Sequence, residues 1–347
     1  MINIAINGFG RIGKAALKIA WKRKNMQVVA INNPGDVATF AHLLKYDSVY
    51  GHWDHEVKGI PAKSAIASRP IGTLVIDGVK ILVYGEKDPL FLPWKRLKVD
   101  VVLECTGRFT KDDAAGAHLK AGAKKVVVSA PTKGGEAKMY LVGVNADRYE
   151  GEELVSNASC TTNCIAPVTQ VMSDAFGVKK AMLTTVHAVT AEQSLVDSNP
   201  PALHPDLRRA RSALANIVPT TTGAASALGS VIPAMRGIFD GLALRVPVLC
   251  GSLSDFTFLL KKKVTIAQVN GAFKRAANAE RYKGVLAVME EPVVSSDIVG
   301  RTESAVVDLS LTKVVDGDLV KVLAWYDNEW GYAHRLVEMA AKVMGKK

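Results

Sequence analysis

Apolar positions along this chain fall into two periods. Ile2 to Ile6 is a short apolar run, Lys14 to Lys24 carries helical spacing, and Val28 to Ile31 is apolar again. That order predicts a β-α-β unit. Asp100 to Glu104 and Lys125 to Ser129 read as further strands, with a helix predicted between them over Asp112 to Ala121. The segment from Ala38 to Leu97 holds short strands and turns, including a hairpin turning at Asp77-Gly78. Past residue 160 the texture changes. Ile165, Val168, Met172 and Ala175 or Phe176 recur at spacings of three and four, one buried helix face. Ala181 to His187, Leu242 to Pro247, Phe256 to Leu260, Ser304 to Leu311 and Lys321 to Tyr326 read as strands of a mixed sheet. Val218 to Gly223 reads as a loop opening a small-residue helix, and a last helix is predicted from Asn328 to Met344.

The first β-α-β turn is Gly8-Phe-Gly10-Arg-Ile-Gly13. In G-x-G-x-x-G the first glycine makes the turn, the second admits a pyrophosphate to the backbone, and the third packs helix on strand. Between strand and helix the motif predicts a dinucleotide site, and with it an α/β fold whose N-terminal part is a Rossmann domain. An acidic residue is expected at the end of the second strand to hold ribose hydroxyls. This chain reads Asn32-Asn33-Pro34 there, and Asp36 lies past a Pro-Gly turn.

Length and composition add little that is specific. The chain's 347 residues suggest two domains, and 48% hydrophobic with 22% charged residues fits a soluble globular protein. No apolar run is long enough to span a bilayer. Met1-Ile-Asn-Ile enters a strand without a basic start or a cleavable apolar segment, so a cytoplasmic location is expected. Cysteines 105, 160, 164 and 250 form neither a disulfide framework nor a paired metal pattern, and no metal is expected. The formal charge of +11 is scattered over short clusters such as Lys22 to Lys24 and Lys261 to Lys263. Anionic small molecules are the expected partners, not nucleic acid or a membrane.

The candidate chemistry centres on Ser156-Asn-Ala-Ser159-Cys160-Thr-Thr-Asn-Cys164. Ser159 or Cys160 falls at the start of the helical pattern. Unpaired N–H groups and the helix dipole there ease ionisation of a thiol and can hold an oxyanion or phosphate. His187 ends a strand 27 residues later and is a candidate general base. Thr222-Gly223 and Arg245 are candidate phosphate groups. Taken singly, a small buried cysteine, a strand histidine, a turn and a surface arginine are ordinary structural residues. Their company changes the reading.

Six long stretches, in order, resemble phosphorylating glyceraldehyde-3-phosphate dehydrogenase over nearly the whole chain. They are Ile6-Asn-Gly-Phe-Gly-Arg-Ile-Gly13, Cys105-Thr-Gly-Arg-Phe-Thr110, Ser156 to Cys164, Asp206-Leu-Arg-Arg-Ala-Arg211, Pro219-Thr-Thr-Thr-Gly-Ala-Ala225 and Trp325-Tyr-Asp-Asn-Glu-Trp-Gly-Tyr332. The resemblance implies a Rossmann domain over 1–159, an α+β catalytic domain with a mixed sheet over 160–327, and a C-terminal helix, 328–347, packing back on the nucleotide domain. It implies that Cys160 is the catalytic thiol and His187 its base and ion-pair partner. Ser159, Thr161, Thr222 and Gly223 then match the site of inorganic phosphate, and Thr190 and Arg245 that of the substrate's own phosphate. Arg11, Ile12, Asn33, Lys87, Thr106, Ser129 and Asn328 match cofactor contacts. The same resemblance implies a homotetramer.

Three positions depart from the family pattern: Asn33 replaces the usual acid, Ala191 stands where asparagine is common, and the loop Asp197 to Asp206 is longer than usual. All bear on the cofactor, so use of both NAD and NADP is expected. A paralogue oxidising erythrose 4-phosphate, or a non-catalytic nucleotide- or RNA-binding relative, are the competing readings.

Overall fold

The computed structural model describes residues 1–63, 69–199 and 206–345. These divide into two compact units. One comprises Met1–Tyr140, Arg148–Ala158 and Ala333–Lys347, the other Leu141–Asp147 and Ser159–Tyr332.

The first unit is built on a nine-stranded sheet. Across it the strands run Lys138–Met139, Leu154–Ser156, Lys125–Val128, Val101–Glu104, Ile2–Asn7, Met26–Asn32, Val79–Tyr84, Gly72–Ile76 and Val57–Pro61. Pairing is parallel from the first edge through Val79–Tyr84, and antiparallel in the last two strands. Val101–Glu104 is buried at every position, as expected of a parallel strand covered on both faces. The chain starts in the middle, builds outward through Met26–Asn32, then returns to Val101–Glu104 on the other side of Ile2–Asn7. The order therefore reverses between Ile2–Asn7 and Val101–Glu104, and the crevice at that reversal is where open α/β sheets bind ligands. The predicted hairpin is present, with Asp77 and Gly78 both at positive φ (47° and 81°), the turn that matches strand twist.

The second unit holds a seven-stranded mixed sheet in the order Val218–Thr221, Phe239–Val246, Val178–Ala188, Ser252–Leu260, Leu319–Tyr326, Ala305–Val315 and Leu286–Met289. Ser252–Leu260 alternates buried and half-buried positions without a break, the period of a sheet with one packed face. The helix Cys160–Phe176 is buried along most of its length.

Several elements differ from the sequence reading. The first helix is Arg11–Trp21, not Lys14 to Lys24, because Gly10 is its N-cap and the third glycine lies inside its first turn. No single helix spans Asp112 to Ala121. A short 3-10 turn, Ala114–Gly116, and a one-turn helix, Ala117–Lys120, replace it. Asp112 and Asp113 are left-handed (φ 47° and 55°), and Asp113 accepts from the N–H groups of Glu136 at 2.6 Å and Ala137 at 3.1 Å. Tying down that loop takes precedence over helix propensity. Val218–Thr221, expected as loop, is an edge strand against Phe239–Val246, where Pro219 is tolerated. The last helix spans Trp330–Val343. Of the altered loop Asp197 to Asp206, residues 200–205 lie outside the described residues.

Candidate active site

In the first unit the three motif glycines meet three distinct demands. Gly8 has φ +96°, and a Cβ there would sit 2.7 Å from the Cys105 carbonyl carbon and the Thr106 nitrogen. A Cβ on Gly13 would strike the Gly8 carbonyl oxygen at 2.1 Å. Gly10 has nothing within 4 Å and caps Arg11–Trp21 without a side-chain hydrogen bond. The open side of that glycine and the first helical N–H groups form a cradle that a pyrophosphate fits.

Gly8, Gly10, Asn33, Lys87 and Thr106 line a crevice of about 310 Å³ at the sheet's reversal point. Arg11 turns its guanidinium elsewhere, to Asp47 at 2.5 Å and over the Tyr50 ring, which leaves its backbone for the cofactor. Ile12 and Gly13 follow in the first helical turn. Ser129 follows the strand Lys125–Val128, its N–H donating to the Glu104 carbonyl at 2.9 Å. Asn33 is pinned by the backbone. Its Oδ1 accepts from Phe9 N–H at 2.9 Å, and its Nδ2 donates to the Pro34 carbonyl at 2.9 Å. Asp36 caps the helix Val37–Lys45, accepting from the Thr39 N–H and hydroxyl at 2.8 Å each.

The candidate chemistry lies wholly in the second unit. Ser159 is the N-cap of Cys160–Phe176 and accepts from Thr162 N–H at 3.1 Å, so Cys160 is the first helical residue. Its Sγ lies 3.4 Å from His187 Nε2. His187 and Arg245 are register partners on adjacent parallel strands, which brings their side chains together. Arg245 Nη1 lies 2.5 Å from His187 Nδ1 and donates to the Ala188 carbonyl at 3.0 Å, and Nδ1 also lies 2.6 Å from that carbonyl. Nδ1 serves one of these at a time. The tautomer that suits a base carries its hydrogen on Nδ1, donated to Ala188 O, and offers Nε2 to the thiol.

Burial pushes the Cys160 thiol up, opposed by the Arg245 charge, the Thr161 hydroxyl and the N–H groups of Thr161 and Cys160. Burial, with Arg245, pulls His187 down to about 3, opposed by the Ala188 carbonyl. The ligand-free pair therefore rests as thiol and imidazole, in contrast to the expected ion pair. Desolvation outweighs the mutual attraction that a charged pair would gain.

Thr190 follows the strand Val178–Ala188, and its N–H and hydroxyl both donate to Gln193 Oε1, at 2.8 and 3.1 Å. Thr222 accepts from Ala224 N–H at 3.2 Å, and exposed Gly223 caps the helix Ala224–Val231 with open space about it. Their contacts are local, whereas Cys160, His187 and Arg245 form one cluster. Asn328 is oriented through the sheet. Ala188 N–H donates to Ser252 Oγ at 3.1 Å, and that hydroxyl donates to Asn328 Oδ1 at 2.8 Å. Asn328 thus offers its amide hydrogens, not its oxygen, to a ligand.

Sequence reasoning missed several neighbours. Buried Tyr326 bridges Thr161 and Thr185 through its hydroxyl, at 3.0 and 2.8 Å, and stands edge-on to the His187 ring. Buried Arg209 bonds Thr220 at 3.2 Å and pairs with Glu192, whose carboxylate also lies 3.9 Å from Arg245. The only sequence signals were the polar ends of apolar strands and the arginine-rich run 208–211.

The crevice and the cysteine–histidine–arginine cluster fit a nicotinamide-dependent oxidoreductase with phosphate-bearing ligands. The family description "Glyceraldehyde 3-phosphate dehydrogenase, NAD binding domain" matches residues 2–112, and "Glyceraldehyde 3-phosphate dehydrogenase, C-terminal domain" matches residues 159–328. The chain is 47% identical over 347 residues to the glyceraldehyde-3-phosphate dehydrogenase of Geobacillus stearothermophilus, covering 99% of each, and 49% identical over 341 residues to that of Thermotoga maritima, covering 97% of this chain and 98% of the relative. It is also 46% identical to the chloroplastic glyceraldehyde-3-phosphate dehydrogenase A of Nicotiana tabacum, over 98% of this chain and 83% of the relative. The chain belongs to the glyceraldehyde-3-phosphate dehydrogenase family, enzymes that are oxidoreductases. Among the described residues no helix is long and apolar enough to cross a membrane.

Proposed function

We propose that this enzyme oxidises glyceraldehyde 3-phosphate and captures the product with inorganic phosphate as 1,3-bisphosphoglycerate. The observation that carries this reading is Cys160 Sγ at a helix start, 3.4 Å from His187 Nε2, with Arg245 beside them. His187 Nε2 takes the thiol proton as Sγ adds to the aldehyde carbon, and returns it to the oxygen of the hemithioacetal. Bound NAD supplies the acceptor for the hydride leaving that carbon. Nε2 takes the hydroxyl proton as the carbonyl re-forms, which leaves a thioester on Cys160. Phosphate oxygen attacks the thioester, the acyl phosphate departs, and Sγ leaves as thiolate, favoured by the helix start and Arg245. Arg245 and Thr190 hold the substrate phosphate, and Ser159, Thr161, Thr222 and Gly223 the attacking one. A substrate anion on Arg245 draws Nη1 off His187 Nδ1 and so favours the base tautomer.

Gly8, Gly10, Gly13, Arg11, Ile12, Asn33, Lys87, Thr106, Ser129 and Asn328 hold the cofactor in this reading. NADP is used as well as NAD, because no carboxylate at position 33 repels a 2′-phosphate and Asn33 turns an amide N–H donor outward. The enzyme assembles as a homotetramer, supported by exposed Leu195, Val196, Leu207, Leu214 and Ile217. Four free cysteines suit the reducing cytoplasm. The test is cofactor reduction by purified enzyme with each of glyceraldehyde 3-phosphate and erythrose 4-phosphate, with and without phosphate. Phosphate-independent turnover with the longer aldehyde preferred would overturn the reading. Light scattering tests the assembly.

A further inference from the structure

Beneath the crevice runs a chain of buried polar side chains that ligand contact alone does not explain. Glu104, 1% exposed, ends the strand Val101–Glu104. Its Oε1 accepts from the Thr106 N–H at 2.7 Å and the Thr106 hydroxyl at 2.5 Å. Its Oε2 accepts from Asn7 Nδ2 and, at 3.0 Å, from His118 Nε2. Neither lysine nor arginine is among these four donors.

The polarity of the chain is fixed from both ends. Trp94 Nε1 can only donate, and it reaches His118 Nδ1 at 2.9 Å, so the ring carries its hydrogen on Nε2, toward Glu104. At the other end the Glu86 N–H donates to Asn32 Oδ1 at 2.8 Å, and the Glu86 carbonyl accepts from Asn32 Nδ2 at 2.9 Å. Asn32 Nδ2 also donates to Asn7 Oδ1 at 2.7 Å, so Asn7 must turn its own Nδ2 to Glu104. Both ends converge on four donors that only an ionised carboxylate can satisfy, since a carboxylic acid would bring a fifth hydrogen.

A buried carboxylate without a cationic partner is a costly way to hold a core together, and apolar side chains serve stability at least as well. What this chain connects is the two walls of the crevice. Asn7, Asn32, Glu86 and Thr106 all line it. Glu86 belongs to the loop after Val79–Tyr84, and Thr106 to the loop after Val101–Glu104. We propose that Glu104 is the positioning residue of the dinucleotide site, its carboxylate holding these two loops at the spacing the cofactor requires. The proposal rests on the reading of this crevice as the NAD site.

The test is NAD affinity by titration calorimetry, with steady-state kinetics, on full-length variants. Glu104→Gln keeps size but turns an NH₂ against two donors, whichever way the amide lies. NAD affinity should fall about 10- to 100-fold, the worth of a charge-assisted bond, and KM for NAD should rise with it. kcat at saturating NAD should stay within about threefold, the pattern of lost ground-state binding. His118→Leu should lose affinity likewise. His118→Gln can accept from Trp94 and donate to Glu104, and should restore it. The histidine pair decides the matter if Glu104→Gln does not fold. Wild-type NAD affinity in both Glu104→Gln and His118→Leu, whatever their melting temperatures, would overturn the proposal, as would a fall in kcat at unchanged KM. A wild-type chain that bound no NAD would instead strike at the reading of the crevice itself.

Discussion

Asn33→Asp should convert a dual-cofactor enzyme into one that favours NAD. In the structure the Asn33 oxygen is already committed to Phe9 N–H, and its nitrogen to the Pro34 carbonyl. An aspartate keeps the first bond, since a carboxylate oxygen accepts from Phe9 as well. It cannot keep the second, because two acceptors would then face each other. The freed oxygen must turn outward, where it can accept from ribose hydroxyls and repel a 2′-phosphate. The lost bond is exposed and neutral, costing about 0.5–1.5 kcal/mol of stability. The gained contact to ribose is charge-assisted, worth about 1.5–3 kcal/mol, or about 10- to 100-fold. The ratio of kcat/KM for NAD to that for NADP should therefore rise by one to two powers of ten, read from steady-state kinetics with each cofactor. Asp36 does not supply the missing charge in the wild type, because turning to the ribose would uncap the helix it now caps, at about 1 kcal/mol. A wild-type preference for NAD above about a thousandfold, roughly 4 kcal/mol, or a variant whose ratio does not move, would refute this reasoning.

Iodoacetamide should label Cys160 ahead of Cys164 and abolish activity in step. Cys164 is fully buried, its thiol pushed up by burial, and labelling there with activity intact would reverse the assignment. His187→Asn should cost on the order of 10²–10⁴ in kcat, the usual share of an acid–base group; a loss under about tenfold would remove it from the chemistry. Arg245→Ala should raise KM for the phosphorylated aldehyde far more than for phosphate, and Thr222→Ala the reverse, each by about 10- to 100-fold for a lost charge-assisted bond. Burial draws His187 down to about 3 and His334 to about 4, so the unfolded chain binds those protons first as pH falls. Their share of stability is present above the ordinary histidine value near 6.5 and is lost as pH falls from there toward those values. Melting curves of His334→Asn against wild type should thus show a shallower loss between about pH 6.5 and 4; parallel curves would contradict the sign.

The parts legible in the sequence are those that local spacing encodes. G-x-G-x-x-G states three backbone requirements at fixed offsets, and Gly8, Gly10 and Gly13 meet them one each. Cys160 at a helix start followed from the apolar spacing of Ile165, Val168 and Met172 with a serine just before. What could not be read depends on pairing across the sheets. That His187 meets Arg245 follows from strand register, and that Tyr326 stands beside both follows from the order of strands 140 residues apart in sequence. The Glu104 chain joins residues 14 to 97 positions apart, and no single stretch announces it. Asp112 and Asp113 misled because helix composition says nothing of a distant loop in need of acceptors.

The first unit is discontinuous, and this sets a constraint in time. Its opening segments end at Ala158, yet it also includes Ala333–Lys347, whose Ala333, Leu336, Val337 and Met339 are fully buried. During synthesis at about 5–20 residues per second, those side chains emerge about 10–40 s after Ala158. The part of the protein translated first is thus the last to be finished, and the sheet that carries the dinucleotide crevice must wait, with apolar surface still uncovered, for the final helix.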